Sequence, residues 1–349
     1  MSSIDCILPE SVGRLSAIFA GGGRISILAH THPDGDALGS TGALVSYLKE
    51  KRGADALAIF SDAAPASLSF LCNGGDFIFA DSDPQAALQR ISHSDVIILM
   101  DSSGFSRTEQ LNGPLCESKA VKVLIDHHID PERDFFDLVF STEDISSTCE
   151  LLFYILLEMD DIKGDARKLP SACARSLMAG MTTDTNNFAN SVYPSTLRMA
   201  SALLEAGVDR DSLLDELYHR YRENRVRVMG FLQNEGMSIT DKGVAYIIAD
   251  KAVLERFDVK EGETESLVNV PLAIKKVRMS IFLKEENGLF RVSIRSRKGV
   301  SAQKLAVKYF HGGGHENAAG GKLFYPGDIP SPADAGAFLL HRLWSEQRG

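Results

Sequence analysis

Four short segments of this chain hold side chains of the kind that bind divalent cations. In the first, residues 29–40 (AHTHPDGDALGS), Pro33 and Gly35 force a tight turn that lets His30, Asp34 and Asp36 converge. A single carboxylate, Asp101, ends an apolar run, Asp126, His127 and His128 end another, and Asp184 follows the small residues of the fourth segment, 180–188 (GMTTDTNNF). Carboxylates mixed with imidazoles suit Mn²⁺ or a similar hard divalent ion better than zinc, which favours more sulfur or nitrogen. Each segment also has an ordinary reading. Asp36 could cap a helix beginning at Ala37, Asp101 could be a cap or turn residue, and Asp126 with a neighbouring His could be a hydrogen-bonded core pair. The ordinary reading needs four separate coincidences, whereas a shared metal centre needs one cause.

Such a centre requires elements that carry distant residues to one edge. Runs 25–29, 56–60, 96–100 and 121–125 are short, apolar and rich in Ile and Val, as buried strands are. Helical patterns over 37–50, 84–91 and 148–159 alternate with them, which predicts an α/β fold with a mostly parallel sheet covered on both faces. Three of these strands stop on His30, on Asp101 and on Asp126-His127-His128. Ligands bind outside the carboxyl ends of strands in open parallel sheets, so the three segments are expected at one edge.

Helical patterning resumes over 195–203 and again over 211–232, the latter rich in arginine (Arg220, Arg222, Arg225, Arg227) and read as a connector. Strands over 244–249, 279–283 and 289–293, then a helix over 302–310 capped by Ser301, give a smaller mixed α/β domain. The expected division is 1–208, a helical connector 209–235, and 236–349, in keeping with two cores for 349 residues. Five scattered cysteines without a C-x-x-C pair argue against a disulfide framework or a zinc site. The longest apolar runs fall far short of the ~18 residues of a membrane span. The N-terminus (MSSIDCILPE) lacks the regions of a signal peptide, so a cytoplasmic location and no membrane partner are expected. A net charge of −10 disfavours a protein that coats nucleic acid. Six basic residues and no acid fall within 287–315 (Arg291, Arg295, Arg297, Lys298, Lys304, Lys308), so the rest carries −16 and a small anionic substrate fits best.

In order and spacing these motifs resemble the DHH phosphoesterase superfamily, which includes RecJ-type nucleases, manganese pyrophosphatases, exopolyphosphatases and the nanoRNase/pAp phosphatases. His-x-His-Pro-Asp-x-Asp-Ala, a strand-end Asp, Asp-His-His and a late Asp-Thr occur in the family's order over about 25–195. HGGGHENAAGG (311–321) is similar to the signature of the DHH-associated C-terminal domain, and IRSRKG (294–299) to its basic substrate-binding strand. The resemblance implies two divalent ions, Mn²⁺ ahead of Mg²⁺ or Co²⁺. His30 and Asp34 would hold one, Asp36, His127 and Asp184 the other, and Asp101 would bridge both. Asp101, His128 and Asp126 would form the catalytic set, with His128 facing the substrate phosphate and Asp126 orienting the neighbouring metal-bound His. Arg295, Arg297, the backbone of Gly313 and Gly314, and His315 would bind substrate alongside His128.

Two-domain length and the GGGH segment place the chain nearest the bifunctional oligoribonuclease and PAP phosphatase group, acting on short single-stranded oligoribonucleotides or pAp. RecJ-like exonucleases, linear dinucleotide phosphodiesterases and exopolyphosphatases are alternatives. A non-catalytic nucleotide sensor is another, against which the six intact ligands argue. A homodimer is compatible with the sequence. One departure from the group is Asn186-Asn187, where a Gly is common soon after the Asp-Thr.

Overall fold

The strand-helix alternation builds its first unit, Met1–Arg220, on a six-stranded sheet. The structure is a computed structural model that describes residues 4–72, 76–260, 262–314 and 316–345. Strands β1 (Arg24–Leu28), β2 (Asp55–Phe60), β3 (Phe77–Phe79), β4 (Val96–Met100), β5 (Val121–Asp126) and β6 (Leu138–Ser141) lie in the order β3-β2-β1-β4-β5-β6. Every pairing is parallel. The chain moves outward from β1 to β3, then returns beside β1 and moves the other way, so the switch point lies between β1 and β4. Successive strand residues feed opposite cores, Ile98 and Ile125 on one face and Leu99 and Leu124 on the other. All five residues of β4 are buried, each worth roughly 1.5–3 kcal/mol of transfer free energy.

The helices of this unit are α1 (Pro9–Ala20), α2 (Gly35–Arg52), α3 (Pro84–Ser92), α4 (Asn112–Glu117), α5 (Thr148–Leu157), α6 (Ser171–Asp184), α7 (Pro194–Glu205) and α8 (Arg210–Tyr218). α2 and α6 cross closely because glycines face the crossing. A Cβ on Gly39 would lie 2.7 Å from the Ser176 carbonyl oxygen, and one on Gly180 2.3 Å from Cys149 Sγ. The continuous helix expected over 211–232 is in fact two, α8 and α9 (Glu223–Asn234). Arg222 is extended between them, and its guanidinium pairs with Asp258 at 2.7 Å and Glu263 at 3.3 Å. Those tertiary pairs outweigh the local helical preference.

The second unit, Tyr221–Gly349, contains α9, β7 (Met237–Ile239), β8 (Val244–Ala249), α10 (Lys251–Arg256), β9 (Met279–Glu286), β10 (Leu289–Ser296), α11 (Ala302–Tyr309), β11 (Gly313–Gly314), β12 (Ala318–Phe324) and α12 (Ala335–Ser345). Its sheet runs β11-β12-β10-β9-β8-β7, with only β8 and β9 parallel. One face packs Ile281, Leu283 and Val292 against Leu305 and Ala306 of α11. The other packs Phe282, Ile247 and Ala249 against Val228 and Leu232 of α9. The expected class, a parallel α/β domain followed by a mixed one, is therefore observed. Among the described residues no helix is long and apolar enough to cross a membrane.

Candidate metal centre

The carboxyl ends of β1, β4 and β5 bring His30, Asp101 and Asp126-His127-His128 to one edge, at the switch point. His30 is buried, and its Nδ1 lies 2.7 Å from the carbonyl oxygen of Thr31. A carbonyl only accepts, so Nδ1 carries the proton and Nε2 is left as a ligand atom. That Nε2 faces Asp101 Oδ2 at 3.5 Å and Asp34 Oδ1 at 3.9 Å.

The cap of α2 is Asp34 rather than Asp36. Asp34 Oδ1 accepts from the N–H groups of Asp36 (3.0 Å) and Ala37 (3.1 Å). Asp36 is instead a buried carboxylate whose Oδ2 accepts from Thr148 N–H (2.7 Å) and Oδ1 from Cys149 N–H (3.0 Å), in the first turn of α5. Any Cβ on Gly180 would also press to 2.9 Å from Asp36 Oδ1, so the helix crossing and the carboxylate occupy one tight volume.

Asp101 sits at the centre, 2% exposed and left-handed at φ 52°. Its Oδ1 faces His127 Nε2 at 3.5 Å and His128 Nδ1 at 3.7 Å, while Oδ2 faces His30. His127 Nε2 is also 3.6 Å from Asp184 Oδ2, which ends α6. Three overlapping groups result, each with its ligand atoms within 4.8 Å of one another: His30/Asp34/Asp101, Asp36/His127/Asp184 and Asp101/His127/His128. All six side chains expected to bind metal are thus brought together.

Asp126 corrects an expectation. Its Oδ1 is 2.8 Å from Nδ1 of His128, not of His127, so it orients the imidazole that faces outward. The other oxygen, Oδ2, is buried without a hydrogen-bond partner. His128 Nε2 then meets Arg107 Nη1 at 3.5 Å. Sequence reasoning missed Arg107, because it lies in a kinked 3₁₀ helix (Phe105–Leu111), six residues after Asp101, with no motif of its own.

Charge in the metal-free centre is imbalanced. Burial disfavours the imidazolium of His30, but the hydrogen bond and charge of Asp101, with Asp34 behind it, outweigh burial and raise its pKa to about 9. His127 is raised to about 10 in the same way, by Asp101, Asp36 and Asp184 acting against burial. Asp36 is pushed well above the usual carboxylate range by burial and by the charges of Asp101 and Asp184. Asp184 rises to about 6 through burial, partly offset by His127. Asp101 goes the other way: burial would raise it, but His127 and His30 hold it low. Carboxylates this crowded, with two imidazole Nε2 atoms aimed among them and no thiolate in the set, fit divalent cations.

In the second unit Arg295 is half-buried and lines a cavity of about 330 Å³ together with Lys284, Arg291, Ser293, Asn269 and Glu286. Arg297 takes a different place: its Nε and Nη2 donate to the carbonyls of Val277 (2.9 Å) and Leu272 (2.6 Å), so its guanidinium anchors the backbone. Gly313 and Gly314, expected to bind substrate through their backbone, form a short strand, Gly313 pairing with Gly320 and Gly314 with Ala319. A Cβ on Gly314, at φ 132°, would lie 2.7 Å from the Ala318 carbonyl, so packing demands glycine there. His315, expected to bind substrate, lies outside the described residues. Asn186 and Asn187 adopt φ 46° and 55°, the conformation that glycine takes most readily and asparagine tolerates, which accounts for their presence after Asp184.

Residues 24–181 match the DHH family, N-terminal domain, and residues 242–333 match the DHHA1 domain. The chain belongs to the DHH family of phosphoester hydrolases. It is 29% identical over 306 residues to the bifunctional oligoribonuclease and PAP phosphatase NrnA of Bacillus subtilis (strain 168), covering 86% of this chain and 90% of that protein. To the protein of the same name from Thermus thermophilus it is 29% identical over 309 residues, covering 86% and 84%. A crystal structure of an exopolyphosphatase-related protein from Bacteroides fragilis superposes with a TM-score of 0.88 at 29% identity, over 100% of both chains.

Proposed function

We propose that this enzyme hydrolyses short oligoribonucleotides, pAp, or both, to mononucleotides, using two divalent ions, Mn²⁺ first among them. The observation that carries the reading is the placement of Asp101, with one oxygen toward His30 and the other toward His127. His30, Asp34 and Asp101 would hold one ion, and Asp36, His127, Asp184 and Asp101 the other. When bound, the ions supply Lewis-acid polarisation of the phosphoryl group and activate water near neutral pH. The protein's own part is orientation and charge. Asp126 fixes the ring of His128, whose Nε2 faces outward beside Arg107, and the Arg107 guanidinium would bring positive charge to a phosphate oxygen at this rim. The NrnA relatives, named for oligoribonuclease and PAP phosphatase activities, support this substrate class.

The test is the initial rate with Mn²⁺ on pAp and on RNA and DNA oligomers from two to about two dozen residues. Substrate length is what a site that grips one phosphate locally reads, through the positioning it can offer. Rates falling steeply beyond the shortest oligomers are expected. Flat or rising rates would move the enzyme toward long single-strand degradation, and binding of nucleotides without turnover would make it a sensor.

Arg107→Ala tests the rim. Loss of a charge-assisted contact of about 1.5–3 kcal/mol should raise KM for pAp roughly tenfold to a hundredfold, with Mn²⁺ affinity unchanged. An unaltered KM would remove Arg107 from the substrate site.

A further inference from the structure

We infer that Thr148 is a positioning residue that sets the two central carboxylates relative to each other; the inference rests on the two-ion reading above. Thr148 is fully buried and reaches both carboxylates at once. Its N–H donates to Asp36 Oδ2 at 2.7 Å, and its hydroxyl donates to Asp101 Oδ1 at 3.2 Å. A hydroxyl has one proton to give, and a carboxylate is the stronger of the acceptors within reach. With Cys149 N–H on Asp36 Oδ1, both oxygens of Asp36 are held by amides and its plane is fixed. On Asp101 the hydroxyl sits at the oxygen that faces His127, leaving Oδ2 toward His30. Thr148 therefore touches one member of each metal-binding group without offering a ligand atom of its own.

The turn that carries Thr148 is itself braced. Ser147 Oγ accepts from Glu150 N–H at 3.0 Å and caps α5. Glu150 is fully buried, and its Oε2 accepts from Ser146 N–H (3.1 Å) and from the hydroxyl of Thr196 in α7 (2.7 Å). The N-terminus of α5 is thereby held from its outer side by a neighbouring helix, and it holds the metal-binding carboxylates on its inner side. Partners that orient ligands in this way typically change metal affinity or activity by 10–100-fold when removed.

The experiment titrates full-length, metal-free protein with Mn²⁺ by calorimetry and records thermal unfolding of the same samples. Thr148→Val removes the hydroxyl and keeps the shape and the N–H. It should weaken one or both binding steps by about tenfold or more, while Thr148→Ser, which restores the hydroxyl, should lie within about threefold of the parent protein. The unfolding temperature of the metal-free protein should differ little between the two variants. Unchanged Mn²⁺ affinity in Thr148→Val, or a fall in metal-free stability as its sole effect, would overturn the inference. If Thr148→Val does not fold, Thr148→Ala against Thr148→Ser makes the same comparison. A parent protein that binds no divalent ion would sink the two-ion reading and this inference with it, whereas tight binding by both parent and variant sinks only the role of Thr148.

Discussion

Asp101→Asn should lower metal-dependent turnover by about a hundredfold to several thousandfold and weaken binding of both ions. Removing one partner from a buried, paired charge costs roughly 3–5 kcal/mol, because the groups left behind are stranded away from water. Asp101 is 2% exposed, and its two oxygens serve different partners, His30 on one side and His127 on the other. Asparagine keeps the shape but gives up the charge, and its amide NH₂ must point at one of the two cation positions. No neighbouring carboxylate can take over, since Asp34 groups with His30 on one side and Asp36 with His127 and Asp184 on the other, so each already serves one of the two positions. The measurement is turnover of pAp together with Mn²⁺ titration, on protein shown to be folded by circular dichroism. Activity near that of the parent protein would remove the bridging assignment.

The second large effect is a pH dependence of metal affinity. His30 and His127 have pKa values raised to about 9 and about 10 in the metal-free protein, so each ion must displace a proton in the neutral range. Affinity should rise about tenfold per pH unit for each proton displaced, hence at least about a hundredfold per ion between pH 6 and pH 8 from the imidazoles, with the raised Asp36 carboxyl adding to it at the second ion. Below about pH 6 the Asp184 proton joins and the dependence steepens. Stability of the metal-free protein runs the other way. A raised imidazole pKa means that the native pairing contributes fully below the unfolded value of ~6.5 and is lost as pH rises through about 9 to about 10. Calorimetric titration with Mn²⁺ in buffers of different ionisation enthalpy counts the protons directly. Release of none at pH 7 would mean that both imidazoles are neutral before the ions arrive.

Strand positions and the identity of the clustered side chains were legible because their signals are local. The buried strands read as short Ile- and Val-rich runs, and 96–100 and 244–249 coincide with β4 and β8 to the residue. The runs that stop on His30, Asp101 and Asp126 marked the edge at which those residues meet. Elements with weaker patterns were not legible: β3 and β6 are edge strands of three and four residues, and α1 carries no link to the chemistry. The break between α8 and α9 was invisible because the pull on Arg222 comes from Asp258 and Glu263, about 40 residues away.

The division at the site follows the same line. The sequence by itself determined which residue types gather, since ligands must be specific side chains at strand and helix ends, and their order is written in the motifs. Tertiary structure alone decided the partners: Asp126 with His128 rather than His127, Arg297 on backbone carbonyls rather than open to ligand, and Arg107 and Thr148 at the centre at all. Hydrogen bonds depend on which way a side chain points within an ångström, and that direction is set by packing between segments up to about a hundred residues apart, where spacing along the chain carries no information.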